Sequence, residues 1–379
     1  MVDLPRGFLP IQDPLPQLPH SFAQWEAFAK EIPKILLTNQ YRQLLLQLSP
    51  FPTDQLTVPE EWERAMLILS YLGQAYVWAD LHHPAHVIPE VLAVPWHKVA
   101  YKLARPPILS YASYALYNWR RLDPKEKVEL GNIILLQNFL GGMDEEWFIL
   151  VHVNIEAEAA LAINALVPAI AASQANDGDQ VLKQLQIIKQ SLEKMCLVLK
   201  RMPERCDPYI YFNRVRPYIH GWQDNPALPE GVIYQGVAEY GHNPVKFKGE
   251  TGAQSTIVPI MDAFFGVEHE DNPLQQHLIE MKEYMPALHR DFLAAISKQS
   301  QIRAFIEKNK NSLAQLAETY NACLELLYQF RATHLSYAAH YIQQQSRTTS
   351  GNPTDIGTGG TPFMEYLRKH LAETRRYFL

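Results

Sequence analysis

Cysteine is scarce in this chain: three in 379 residues, Cys196, Cys206 and Cys323. They are odd in number and scattered, with no pair at metal-clip spacing, which fits a reducing compartment rather than a disulfide framework. A basic excess is missing too. With 34 Lys and Arg against 40 Asp and Glu, a net charge of -6 and a pI near 6.2, the chain offers no footprint for nucleic acid and no lysine-rich face for an anionic membrane. Neither partner is expected. The N-terminal run MVDLPRGFLPIQDPLPQLP lacks the basic start and unbroken apolar core of a secretory signal, and its prolines suggest an extended arm. The best membrane candidate, ALAINALVPAIAA from Ala159, is interrupted by Asn164 and Pro168 and is too short to span a bilayer. A soluble, cytoplasmic protein is the expectation. GxSxG, HExxH and GxGxxG patterns are absent, which removes the sequence basis for hydrolase, zincin or dinucleotide chemistry.

Strand signals are also sparse. Apolar side chains recur at helical spacing in Ser21–Leu48, Glu60–Trp78, Asn132–Leu140, Trp147–Ala172, Val181–Lys200, Leu274–Ser297 and Leu313–Gln345, so the chain reads as all-α. Gly141-Gly142 breaks the pattern, dividing a smaller helical domain (1–140) from a larger one (141–379). At 47% hydrophobic residues, a chain of this length can bury a cofactor. Two segments resist a helical reading. Pro203–Gly252, rich in Pro, Gly, Tyr and Asn, suggests a long ordered loop region, and Gln343–Pro362 suggests a mobile segment that a ligand could order.

The densest chemistry lies near the C-terminus. From Leu313, the apolar positions Leu316, Tyr320, Cys323, Leu324, Leu327 and Phe330 carry a helix stripe on to His334, and Arg331 shares that side of the helix. A histidine so placed is either a satisfied core residue or a metal ligand; neutral imidazole is a good iron ligand. His152 sits similarly with Phe148, Val151 and Ile155. The cluster His82-His83-Pro84-Ala85-His86 invites a metal reading, but Pro84 disrupts helical geometry and a solvated turn is expected. Glu268-His269-Glu270-Asp271 reads as an exposed acidic turn.

FRATHLSYAAHYI (Phe330–Ile342) followed by GTGGTPFMEYLRKHL (Gly357–Leu371) resembles the C-terminal part of the indoleamine 2,3-dioxygenase family. The resemblance continues upstream, in order, through MKEYMPALHRDFL (Met281–Leu293), RPYIHGWQDNPAL (Arg216–Leu228), RPPILSYASYALYNWRRLDP (Arg105–Pro124) and AYVWADLHHPAHVIPEVLAVP (Ala75–Pro95). It implies a two-domain, all-α protein with heme b mainly in the C-terminal domain, ferrous iron in the active form, and O₂ as co-substrate. The implied reaction inserts O₂ across the indole C2–C3 bond of L-tryptophan or a related indoleamine. By the same resemblance His334 is the axial ligand, with Arg331 and Asp262 on the proximal side as an ion pair. Phe148 and Tyr111 match pocket positions, Arg216 the substrate-carboxylate arginine, and Thr358 a lid hydroxyl near that carboxylate. Thr251 falls in a loop at the substrate and heme edge, which Glu250 makes bulkier. His152 stands where the better-known members carry serine and where the related tryptophan 2,3-dioxygenases use a distal histidine. Tyr114 and Tyr211 replace the cysteine and phenylalanine of the vertebrate members, so the distal pocket is more polar and more crowded. Two alternatives stand beside this reading: an oxygenase of another aromatic amine, and a heme-binding or gas-sensing protein without turnover.

Overall fold

The computed structural model describes residues 6–269, 273–311, 313–345, 356–360 and 362–379. Helix α1 spans Pro59–Trp78. Proline fits its first position, where the amide is unpaired anyway, and the Glu61 carboxylate accepts from the backbone amides of Thr57 (2.7 Å) and Val58 (3.3 Å) to close the N-terminus. Strand β1 is Val87–Ile88, and α2 (Glu90–Lys102) lies across α1. Contact is possible because α1 carries Gly73: a Cβ there would lie 2.0 Å from the Trp96 ring.

Residues 132–140 are not helical. Ile133–Leu135 forms β3, antiparallel to β2 (Trp119–Arg121) with Trp119 opposite Leu135. The Asn118 side chain explains the choice: its amide donates to the Gln137 carbonyl (2.9 Å) and accepts from the Gln137 amide (2.8 Å), diverting both groups from a helical ladder. A second small pair joins β1 in parallel to β4 (Ile233–Tyr234). The helix expected over Ser21–Leu48 is likewise broken into short pieces, with Pro33 inside one of them. The expected helix at Leu274–Ser297 divides before Pro286, because proline disfavours the helical conformation of the residue preceding it.

The larger helices follow. α3 (Met143–Gln174) turns through Asn176, in the left-handed region at φ 56°, into α4 (Gly178–Leu199), whose N-terminus is capped by Asp177 accepting from the Gln180 amide. α5 is Ile257–Phe265, α6 Ala287–Gln299, α7 Ala314–Ala338 and α8 Phe363–Arg375.

Two apolar cores result. One gathers α1, α2 and Trp119 with Ile219, Trp222 and Tyr234 from the long loop region; the other gathers α3, α4, α5 and α7. α3 serves both, giving Ile149, Leu150 and Val153 to the first and Val151, Ile155 and Ile163 to the second. It is therefore apolar nearly all round. The 32-residue α3, which contains the candidate Ala159 segment unbroken through Pro168, is long and apolar enough to cross a membrane, yet 61% of that apolar window is buried inside the fold. It is a core helix by packing.

Candidate functional site

Where α3 passes between the cores it presents Phe148, His152 and Glu156, spaced one turn apart on one face. His152 Nδ1 lies 2.7 Å from the Phe148 carbonyl. A carbonyl only accepts, so Nδ1 carries the proton and Nε2 keeps its lone pair. Burial lowers the His152 pKa despite that carbonyl, so the ring is neutral at physiological pH. Aromatic rings enclose it: Phe148 at 4.7 Å between centroids and Tyr111 at 6.0 Å, with Tyr211 in turn 4.6 Å from Phe148.

Three π-helical turns shape this wall: Ala112–Leu116 after Tyr111, Tyr211–Val215, and Ala339–Gln343. Such turns shift side-chain register within a helix and recur at functional sites. Tyr111 is anchored by donating its hydroxyl to Glu156 (2.9 Å), which also accepts from Ser255 (2.9 Å); burial pushes Glu156 up to about 7. The Tyr114 hydroxyl, also buried, has no hydrogen-bond partner among the described residues.

α7 supplies the opposite side. Leu327, Arg331 and Ala338 are buried, and His334 is in angular register with them, yet its side chain is accessible rather than sealed into the core. Enclosure by surrounding protein nonetheless pushes its imidazole down to about 4, and His152 pushes the same way. A side chain both accessible and desolvated fits the wall of a cleft, and the charge coupling puts His152 within electrostatic reach of it. Behind His334 the expected pair is formed: Arg331 donates to Asp262 at 2.5 Å and to the Thr374 hydroxyl at 2.6 Å.

The two candidate arginines separate cleanly. Arg214 is exposed, whereas Arg216 is 0% exposed. Arg216 lies over the Phe212 ring (5.4 Å) and donates through Nη2 to the Ile356 carbonyl (2.7 Å). Burial pushes its pKa down to about 10, with Tyr211 opposing, so it remains cationic. Ile356 opens the described part of the lid; residues 346–355 and Thr361 lie outside the described residues. Thr358 donates its hydroxyl to the Glu250 carbonyl (2.5 Å). Gly359 sits against Thr251, close enough that a Cβ on the glycine would lie 3.3 Å from the threonine methyl carbon.

The Thr251 loop reaches Arg216's segment by a glycine-on-glycine crossing. A Cβ on Gly221 would lie 2.2 Å from the Gly249 nitrogen, so neither position tolerates a side chain without displacing backbone. Thr251, Thr358 and Arg216 are thereby brought into one neighbourhood.

A profile of the family described as "Indoleamine 2,3-dioxygenase" matches residues 1–377. The chain belongs to the indoleamine 2,3-dioxygenase family, and is an oxidoreductase of that kind. It is 34% identical to "Indoleamine 2,3-dioxygenase 1" of Rattus norvegicus, covering 100% of this chain and 94% of the relative. It is 30% identical to "Indoleamine 2,3-dioxygenase" of Saccharomyces cerevisiae (97% and 90% covered) and 31% identical to "6-hydroxytryptophan 2,3-dioxygenase fscD" of Fusarium equiseti (97% and 94%).

Two features of this family member escape sequence reasoning. His269 is not on an exposed turn; it is drawn inward between carboxylates, and the remainder of that run, Glu270 and Asp271, lies outside the described residues. Glu250, noted in the sequence only for bulk, is 4% exposed with no ion pair among the described residues, and burial pushes it up to about 8. Burial raises the hydroxyls of Tyr111, Tyr114 and Tyr211, and the Glu250 carboxyl adds to each, which puts it beside the aromatic wall.

That raised pKa has a defined sign. The folded chain holds the Glu250 proton while the unfolded chain releases it near the ordinary carboxyl value of 4.5, so this contribution to stability is full below pH 4.5 and is lost as pH rises through about 8. Glu250→Gln is expected to change the melting temperature little at pH 5 and to raise it by several degrees at pH 8.5. Equal shifts at both pH values in calorimetry would show that the carboxyl does not titrate differently on folding.

Proposed function

We propose that the cleft binds heme b through His334 and that the protein inserts both atoms of O₂ across the indole C2–C3 bond of L-tryptophan or a related indoleamine, giving an N-formylkynurenine-type product. What supports this reading is a pair of neutral imidazoles, His334 and His152, within electrostatic reach of one another, with aromatic rings packed around His152 and the buried Arg216 near Tyr211. The donor set fits heme: a pKa near 4 keeps His334 in the neutral form that ligates iron, and the Arg331–Asp262 pair fixes its helix from behind. Bound ferrous heme supplies the activation of O₂.

The chain's own residues bind and orient. Phe148, Tyr111 and Tyr211 confine a flat aromatic ring. His152 Nε2, left as an acceptor by the Nδ1 bond to Phe148, takes the indole N–H. Arg216 pairs with the amino-acid carboxylate through two parallel hydrogen bonds, and Thr358 and Thr251 carry the lid segment over it. Heme is assigned mainly to the larger of two domains, 141–379, the smaller being 1–140; the two apolar cores support that division, although the first core also draws on the 218–247 segment and on Met281 and Tyr284. A cytoplasmic location fits the free cysteines.

An optical titration of the heme-loaded protein with L-tryptophan, followed by a product assay, tests the assignment. A substrate-dependent change of the ferrous spectrum with N-formylkynurenine formation supports it; diatomic-gas binding with no turnover of any indole identifies a sensor instead. The buried Tyr114 hydroxyl, without a hydrogen-bond partner among the described residues, favours one variant of the reading, an indole or other aromatic amine bearing a polar ring substituent.

His152→Ser tests the distal role separately. Because the imidazole orients rather than deprotonates, the variant is expected to retain turnover; the space released should improve binding of 1-methyltryptophan, which has no indole N–H to lose, and that of tryptophan too if crowding now excludes it. Complete loss of activity with heme intact would make His152 an essential acid-base group, and unchanged affinity for both ligands would place it outside the pocket.

A further inference from the structure

On the far side of Arg331 from His334 lies a second cluster of ligand-type side chains. His370 and Glu373 stand one helical turn apart on α8 and face His269 on the segment that follows α5. One ligand atom from each of His269, His370 and Glu373 lies within 4.8 Å of the others. The His269 and His370 rings are 4.4 Å apart between centroids, and His269 Nδ1 is 2.5 Å from a Glu373 carboxylate oxygen. Elements remote in sequence therefore converge three side chains of metal-binding type on one point.

The surroundings are those of a built site. His269 Nε2 lies 3.1 Å from Asp262, whose carboxylate is in turn held by Arg331 at 2.5 Å. A ligating imidazole usually donates its second ring N–H to a carboxylate, which fixes the tautomer and aims the other nitrogen. Asp262 does that here and leaves Nδ1 as the nitrogen directed at the cluster. His370 Nε2 is buried and has no hydrogen-bond partner among the described residues. An imidazolium at His269 bridging Asp262 and Glu373 would account for those three residues without a metal, but it leaves the His370 nitrogen unexplained. A cation shared by all three residues explains both. A cleft of about 380 Å³ lined by Glu268, His269, Arg303, Glu373, Arg376 and Tyr377 gives an entry path.

We propose that His269 Nδ1, an imidazole nitrogen of His370 and the Glu373 carboxylate hold a divalent cation of the zinc class, at a site distinct from the cleft faced by His334. Two imidazoles and one carboxylate suit a borderline ion such as Zn²⁺ and leave a fourth, tetrahedral position open toward the cleft. On binding, the cation takes the Nδ1 lone pair, and the proton shared between His269 and Glu373 leaves to solvent, so charge and protons balance. The site joins α8 to the segment after α5 and, through Asp262, to Arg331 on α7. The cation would thereby tie the C-terminal helix to the helix that carries His334.

The test uses the full chain as purified, treated with a chelator and dialysed, then titrated with ZnCl₂ in a calorimeter with elemental analysis of the product. The exposed turn His82, His83 and His86 could also take zinc, so the H82A/H83A/H86A variant serves as the background protein. In that background one Zn²⁺ per chain is expected, together with a zinc-dependent rise in melting temperature. His370→Ala and Glu373→Gln should each weaken zinc binding at least about 10–100-fold and remove the thermal shift. His370→Ala deletes a nitrogen with no hydrogen-bond partner among the described residues and so keeps the test valid should changes at His269 or Glu373 impair folding. No zinc retained in the background variant, or retention unchanged by His370→Ala, would overturn the proposal.

Discussion

His334→Ala is expected to abolish stable heme binding while His340→Ala keeps it. Both histidines are accessible, so accessibility alone does not distinguish them. Direction does. His334 shares the register of buried Leu327 and Arg331 and feels the charge of His152, whereas His340 lies six residues on, roughly 240° around the helix axis at about 100° per residue, and its Nδ1 is 2.8 Å from the Gln344 side-chain oxygen. Removing His334 takes away a neutral imidazole that no neighbouring α7 side chain can replace, since Arg331, one turn earlier, is committed to Asp262 and Thr374. Heme stoichiometry and the Soret band measure the outcome. An unchanged band in His334→Ala would refute the axial assignment.

Arg216→Leu carries the second large effect. A guanidinium with no exposed surface that makes two charge-assisted hydrogen bonds to a carboxylate should contribute roughly 2–5 kcal/mol to amino-acid substrates, and tryptamine, which has no carboxylate, should lose far less. The exposed Arg214 supplies the control: Arg214→Leu is expected to alter neither substrate. Because Arg216 also holds the Ile356 carbonyl, a general loosening of the lid would weaken both substrates alike, and equal losses for tryptophan and tryptamine would make Arg216 structural.

Helices whose pattern comes from local spacing were legible in the sequence. α4 follows the apolar periodicity to within a few residues because it buries a stripe that its own residues define, α7 does so up to the π-helical turn Ala339–Gln343, and α3 is legible from its sustained apolar length. The family, too, was legible from collinear blocks. What failed was set by distant partners. β3 reads as a helix until the Asn118 side chain captures both backbone groups of Gln137. His269 looks exposed among acidic neighbours, and only the approach of α8, a hundred residues later, shows otherwise. Glu250 was visible as bulk, but its burial and raised pKa depend on the Gly221–Gly249 crossing, and two isolated glycines do not reveal that they touch. His334 lay on a recognisable stripe; that its side chain stays accessible at that point depends on the packing of other elements.

The double allegiance of α3 has a consequence for how the chain is made. Its partner α4 follows at once, but the other long helices of its second core, from α5 at Ile257 to α7 ending at Ala338, come much later in the sequence. At about 5–20 residues per second of synthesis, the gap of 83 residues from 174 to 257 corresponds to roughly 4–17 s. Throughout that interval, a helix with the composition of a membrane span waits on the ribosome with part of its apolar surface uncovered. The nascent chain is then most exposed to chaperone capture or misrouting, so a lesion that delays the late helices would be felt first as lost yield rather than as altered chemistry.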